Sequence, residues 1–149
     1  MKNRKSVVVD SRGQSLVEFA LILPIMLGVT LMITEFGRAL YQYNSMTMAV
    51  REGAREGVVH DAATAVSVAT ARTNAALSLA RINPSDVTLT VDILSNYGGV
   101  QGVKVLRVRA VKPFVWAFQG PLKMTGGGTV AKSNLNLTAE SIMHAEAFQ

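Results

Sequence analysis

The chain contains no cysteine. Disulfides, thiolate nucleophiles and thiolate metal ligands are therefore excluded, and an exported part would have to be held by packing alone. Histidine is scarce: His60 and His144 are the only two, and they do not form a metal-spaced pair. Ser11 and Ser15 have no local base motif beside them. Gly126-Gly127-Gly128 lacks the Lys-Ser/Thr that would make it a phosphate loop. Charged residues are only 17% of the chain and aromatics 6%. The sequence thus argues against an enzyme: no catalytic residue, metal site or cofactor is expected.

A basic excess is present, with a net charge of +5. Much of it sits at the front, where Lys2, Arg4, Lys5 and Arg12 oppose Asp10 alone. Beyond Ile33 there is no long basic run. Nucleic acid is not an expected partner.

What the chain does have is apolar sequence, unevenly placed. Phe19 to Ile33 is continuous apart from Pro24, Gly28 and Thr30. With Leu16, Val17 and the next turn, a segment at about 16–34 approaches the ~20 residues that cross ~30 Å of hydrocarbon. The basic flank places the N-terminus in the cytoplasm and the larger C-terminal part outside. A cleaved secretory signal is the other reading of a basic, apolar front, but no small-residue cleavage site follows. Thr34, Glu35, Phe36, Gly37 and Arg38 come next. We expect a retained anchor in membrane lipid and one exported head, an amount of structure that 149 residues can hold.

Glu18 is the single acid inside the apolar run. At mid-bilayer a carboxylate costs about 2.5–3.5 kcal/mol on insertion scales, and less near the interface. Either it snorkels to the headgroups, or it has a partner that arrives on assembly.

The helix period continues past the span. Phe36, Leu40, Tyr43, Met46 or Thr47, and Val50 recur at three- and four-residue steps. One helix is expected from about Gln14 to Val59, with a length of roughly 70 Å at ~1.5 Å per residue. Gly53 and Gly57 lie one turn apart, with Ala49 on the same side. Interior glycines cost about 1 kcal/mol each against alanine. They mark either a fraying end or a face for tight packing against the head or a neighbouring helix. Glu52 and Arg55 are spaced for an i,i+3 pair.

Asp61 is the expected N-cap of a second helix running to about Ala80. Its thin stripe is Val66, Ala69, Thr73, Ala76, Leu77 and Ala80, and Asn83-Pro84 should end it. Alternation then gives a strand at Val87–Ile93, a turn at Asn96–Gly99, and a strand at Val103–Val111. In the second strand the apolar phase switches at Val105-Leu106. That switch implies a bulge there, or a stretch apolar on both sides. A third strand covers Leu135–Met143. The expected fold is α+β: a long N-terminal helix, a second helix and an antiparallel three-stranded meander in a head spanning 60–149. Between the last two strands lie Phe114, Trp116 and Phe118, which either cover the core edge or form a partner loop.

The stretch RGQSLVEFALILPIML, continuing through EFGRALYQYNSMTMAVREGARE, resembles the TadE-like family of minor pilin-like proteins of tight-adherence (Tad/Flp) pilus systems. The ending LTAESIMHAE is similar but less specific. The resemblance implies a pilin-like fold and a prepilin-type leader, Met1–Gly13. The pattern is a glycine, four residues, a glutamate and an aromatic, met here by Gly13, Glu18 and Phe19. It implies that a prepilin peptidase cuts after Gly13 on the cytoplasmic side of the inner membrane. Gln14 becomes the first residue and Glu18 the fifth. Glu18, with Phe19 beside it, then meets the new α-amino group of an adjacent subunit during assembly. The implied partners are membrane lipid, the peptidase, other pilin or pseudopilin subunits and the pilus assembly machinery. Gln14 departs from the apolar first residue usual in pilins, which puts N-methylation in question. The alternative role is an unprocessed single-span anchor presenting a small binding module in the cell envelope.

Overall fold

The structure is a computed structural model that describes residues 11–117 and 135–145, with side chains from residue 13 onward. Among these residues the order is α1 (Ser11–Gly57), α2 (Ala62–Leu79), β1 (Thr88–Ser95), β2 (Lys104–Pro113) and β3 (Asn136–His144). The strands form one antiparallel sheet in the order β1-β2-β3. The expected α+β arrangement of long helix, second helix and three-stranded meander is what the chain adopts. The chain divides into two compact units between Phe36 and Gly37.

In the second unit, the C-terminal part of α1 packs with α2 and one face of the sheet. The core joins Met46, Val50 and Ala54 of α1, Ala65, Ala69 and Leu77 of α2, and Leu106, Val108 and Ala110 of β2. Register explains the sheet's contribution. Leu89, Val91 and Ile93 sit opposite Ala110, Val108 and Leu106, and Ala139 and Met143 lie opposite Ala110 and Leu106 on the other side. One face is thus a continuous apolar layer.

The helices approach closely because α1 carries no side chain at two positions. A Cβ on Gly53 would run into the Thr73 hydroxyl and lie 2.8 Å from the Ala69 carbonyl oxygen. On Gly57 it would strike Leu106 and come within 2.9 Å of the Ala69 Cβ. Thr73 is fully buried. Its hydroxyl donates to the Ala69 carbonyl at 2.7 Å, so the polar group is satisfied within its own helix. The same crossing corrects the apolar stripe expected on α1. The buried side of this part of the helix is Ala39, Met46, Ala49, Val50 and Ala54, whereas Phe36, Leu40 and Tyr43 are exposed. Large rings have no room where two backbones approach this closely, so small residues take the contact face.

Three further details differ from expectation, and the structure chooses between the two readings of β2. Glu52 bonds not to Arg55 but across to Arg72 of α2, at 2.7 Å. Asp61 does occupy the N-cap of α2, but its side chain makes no cap bond. Its backbone carbonyl instead accepts from Thr64 and Ala65. The helix ends before Asn83-Pro84, because Arg81 turns left-handed (φ 57°). The Ile82 N–H then bonds back to the Leu77 carbonyl, and that of Arg81 to Ser78. Ile82 and Leu77 are both buried, giving this Schellman ending its apolar closure. Finally, β2 has no bulge: its register runs unbroken from Lys104 to Pro113 against β3 and β1. The phase switch reflects a strand buried on both faces, with Leu106 in the main core and Val105 on the opposite side. On that outer face Arg107 and Asp92, directly paired in the ladder, form an ion pair at 2.7 Å.

The Arg72 guanidinium holds the Glu52 carboxyl below the usual carboxylate range, by its hydrogen bond first and its charge second. A depressed acid stabilises the fold above its unfolded value near 4.5 and loses that contribution as pH falls through the lowered folded value. Stability should therefore fall more steeply with acid below pH ~4.5 in the native chain than in Glu52→Gln, as read by urea unfolding at a series of pH values. Gly53→Ala should cost about 1–3 kcal/mol in the same assay. Adding Thr73→Ala should recover only part of that loss, since the Ala69 carbonyl still blocks the new methyl group.

Candidate functional site

The N-terminal part of α1 is apolar on every side and nothing in its unit covers it. Its large side chains are exposed from 40% at Leu23 to 71% at Leu16. In water that surface would be penalised at about 25 cal/mol per Å². In hydrocarbon it is at home. Among the described residues this is the one helix long and apolar enough to cross a membrane. Its polar side chains are tied inward as a lipid environment requires. The Thr30 hydroxyl donates to the Met26 carbonyl at 2.9 Å and Thr34 to Leu31 at 2.8 Å. Pro24 is accommodated without ending the helix.

Gly13, Gln14, Glu18 and Phe19 lie on the first turns of this apolar stretch, all exposed. Gly13 has open space where a side chain would be. Gln14 and Glu18 share a helix face, and the Gln14 amide Nε2 donates to Glu18 Oε1 at 3.1 Å. The bond supplies a donor to the carboxylate but no opposite charge. Phe19, one position on, is 60% exposed.

The other singled-out residues belong to the second unit. Gly53 and Gly57 line the crossing with α2. Phe114 is buried at the end of β2, where its N–H donates to the Leu135 carbonyl at 2.8 Å. Trp116 is half-buried and meets the Phe114 ring edge-on at 5.1 Å. Phe118 lies outside the described residues. Arg38 is the residue that pattern reading passed over. Its guanidinium stands over the Phe114 ring at 4.4 Å and donates to the Val115 carbonyl at 2.6 Å. The only sequence signal was an arginine in a mostly apolar stretch, with no hint of its distant partner. His60 bonds to the Glu56 carbonyl at 2.9 Å, closing the end of α1. Among the described residues no cluster of three or more His, Asp or Glu could hold a metal ion.

This geometry separates the aromatics. Phe114→Ala should cost about 3–5 kcal/mol in urea unfolding of the detergent-solubilised chain. Trp116→Ala should cost clearly less, because part of its ring faces solvent.

No curated protein and no solved structure matches the chain. Residues 13–55 match the family model described as TadE-like protein. The match begins at Gly13, takes in Glu18 and the apolar helix, and ends between the two crossing glycines, so over this segment the chain is similar to TadE-like proteins.

Proposed function

We propose that this chain is a minor pilin or pseudopilin that serves the assembly of a tight-adherence (Flp-type) pilus or a related secretion fibre. The observation that carries the reading is one carboxylate, Glu18, set in an uncovered, membrane-length apolar stretch of α1 that lies within the TadE-like match from Gly13 onward. A prepilin peptidase of the inner membrane cuts the Gly13–Gln14 bond on the cytoplasmic side. The exposure of Gly13 and the open space around it suit attack at that bond. The basic leader, with Lys2, Arg4, Lys5 and Arg12, keeps this end inside, and the head from residue 60 onward is exported.

Cleavage alters the electrostatics of the segment. Before it, position 14 carries a neutral amide nitrogen, and among the described residues the Gln14 carboxamide is the donor to Glu18. After it, position 14 carries an ammonium group. When a neighbouring subunit brings that ammonium to Glu18, two charges that are each costly in hydrocarbon neutralise one another. Coulomb attraction there is many times what it is in water. The pairing offsets the burial cost of both groups and holds the subunits in one axial register. Apolar helix faces and Phe19 supply the surrounding contact with lipid and other subunits.

Intact mass of the membrane-extracted protein, with and without its own system's peptidase, tests the reading. A peptidase-dependent product beginning at Gln14 is expected. Gly13→Ala should impair its formation. Glu18→Ala should leave cleavage intact and remove the chain from assembled fibres. A chain that stays full-length beside an active peptidase would instead favour an unprocessed envelope anchor.

A further inference from the structure

Gln14 carries a chemistry that an apolar first residue does not. In the intact chain its backbone nitrogen is an amide and cannot act as a nucleophile. If the chain is cut after Gly13, as the proposed function holds, that nitrogen becomes a primary amine on the same residue as a carboxamide. The two are placed for closure of a five-membered ring, an intramolecular step with a large advantage over any competing bimolecular one. Gln14 is exposed, so no packing holds its side chain away. Its carboxamide makes one exposed hydrogen bond, from Nε2 to Glu18 Oε1 at 3.1 Å, which water can replace.

We propose that Gln14 is a modification site: in processed subunits that have not assembled, it closes to a pyroglutamyl lactam. The terminal amine attacks the side-chain carbonyl carbon, Cδ. A new C–N bond forms, the Cδ–Nε2 bond breaks, and ammonia leaves with the proton given up by the amine. No oxidant, reductant or second substrate is required. The product terminus is neutral and can no longer pair with a carboxylate.

Glu18 connects this reaction to assembly. An ammonium paired with a carboxylate is held in its charged form and has no lone pair for attack. A subunit whose terminus is seated against a neighbour's Glu18 is therefore protected. An unpaired terminal amine is partly deprotonated at neutral pH and open to closure. Cyclisation thus retires subunits that remain unassembled and spares those within a fibre.

The test follows the N-terminal peptide of the full chain, co-expressed with its peptidase, extracted in detergent and held at neutral pH. Mass spectrometry should find a peptide beginning at position 14, lighter by one ammonia and unreactive to amine labels, whose share rises with time. Gln14→Asn keeps a carboxamide, but its terminal amine could close only a strained four-membered ring, so an ammonia-loss species unreactive to amine labels should be absent from that chain over the same period. A Gln14 peptide that keeps its full mass and its free amine overturns the lactam while leaving the cleavage reading in place. A peptide heavier by a methyl group does the same. A chain that remains full-length overturns both.

Discussion

The head depends on a backbone-to-backbone approach. α1 and α2 come so near at Gly53 and Gly57 that a single added methyl group would meet a hydroxyl, a carbonyl or another methyl. Much else follows from that distance. It brings Thr73 into the core with its hydroxyl folded back on Ala69. It places Leu106 directly beneath the end of α1, so that the sheet and both helices share one apolar layer. It also brings Glu52 within reach of Arg72 across the helix pair. Two glycines in a helix are a local cost of about 1 kcal/mol each. Dispersion attraction along the crossing, small for each pair of atoms but summed over many, outweighs it. Without disulfides, this packing has no covalent support.

A second constraint acts on the other unit. There the apolar side chains face outward and the few polar ones bond to their own helix. The pattern is the inverse of the head, where apolar groups are inside and ion pairs such as Arg107–Asp92 are at the surface. Both patterns obey the same rule: polar groups must be satisfied where the surrounding medium cannot satisfy them. In the head, water is that medium at the surface. Along residues 16–33, hydroxyls such as that of Thr30 are satisfied internally, as is that of Thr34 just beyond. Glu18 is the exception, because a neutral carboxamide cannot cancel its charge.

Much of this was legible from the residue order, for a physical reason. Helix and strand periods are local properties, so two helices and three strands could be placed within a few residues of where they lie. Errors arose where long-range geometry outweighed the local pattern. Glu52 and Arg55 have suitable helix spacing, but Arg72 lies 20 residues away in sequence and offers the better bond. Phe36, Leu40 and Tyr43 keep a helical period, but the crossing selects the smaller residues on an adjoining side. The phase switch in β2 was visible, yet a bulge and burial on both faces leave the same trace in sequence. Arg81 in a left-handed conformation could not be foreseen from its type. At the candidate site, the pairing of Gln14 with Glu18 follows from their i,i+4 spacing. The seat of Arg38 over Phe114 does not, since those residues meet only through the tertiary fold.

The two units also differ in how each is completed. The second unit largely completes itself: its crossing glycines, its aromatic pair and its ion pairs find partners within the same chain. The apolar helix does not. Its surface asks for lipid or other apolar helices, and among the described residues the partner of Glu18 is the neutral Gln14 carboxamide. A lone acid in such a segment is tolerable near the interface, where the penalty is small. It becomes useful only when a positive group can be delivered at that depth. Cleavage at Gly13 would generate such a group at Gln14, four residues before Glu18 and at the free end of the chain, where the Glu18 of an adjacent subunit could meet it. Such a cation would carry register information, because a terminus pairing with a neighbour's Glu18 would favour one axial offset. On this argument the charge specifies how subunits align, while the apolar surface around it supplies most of the affinity.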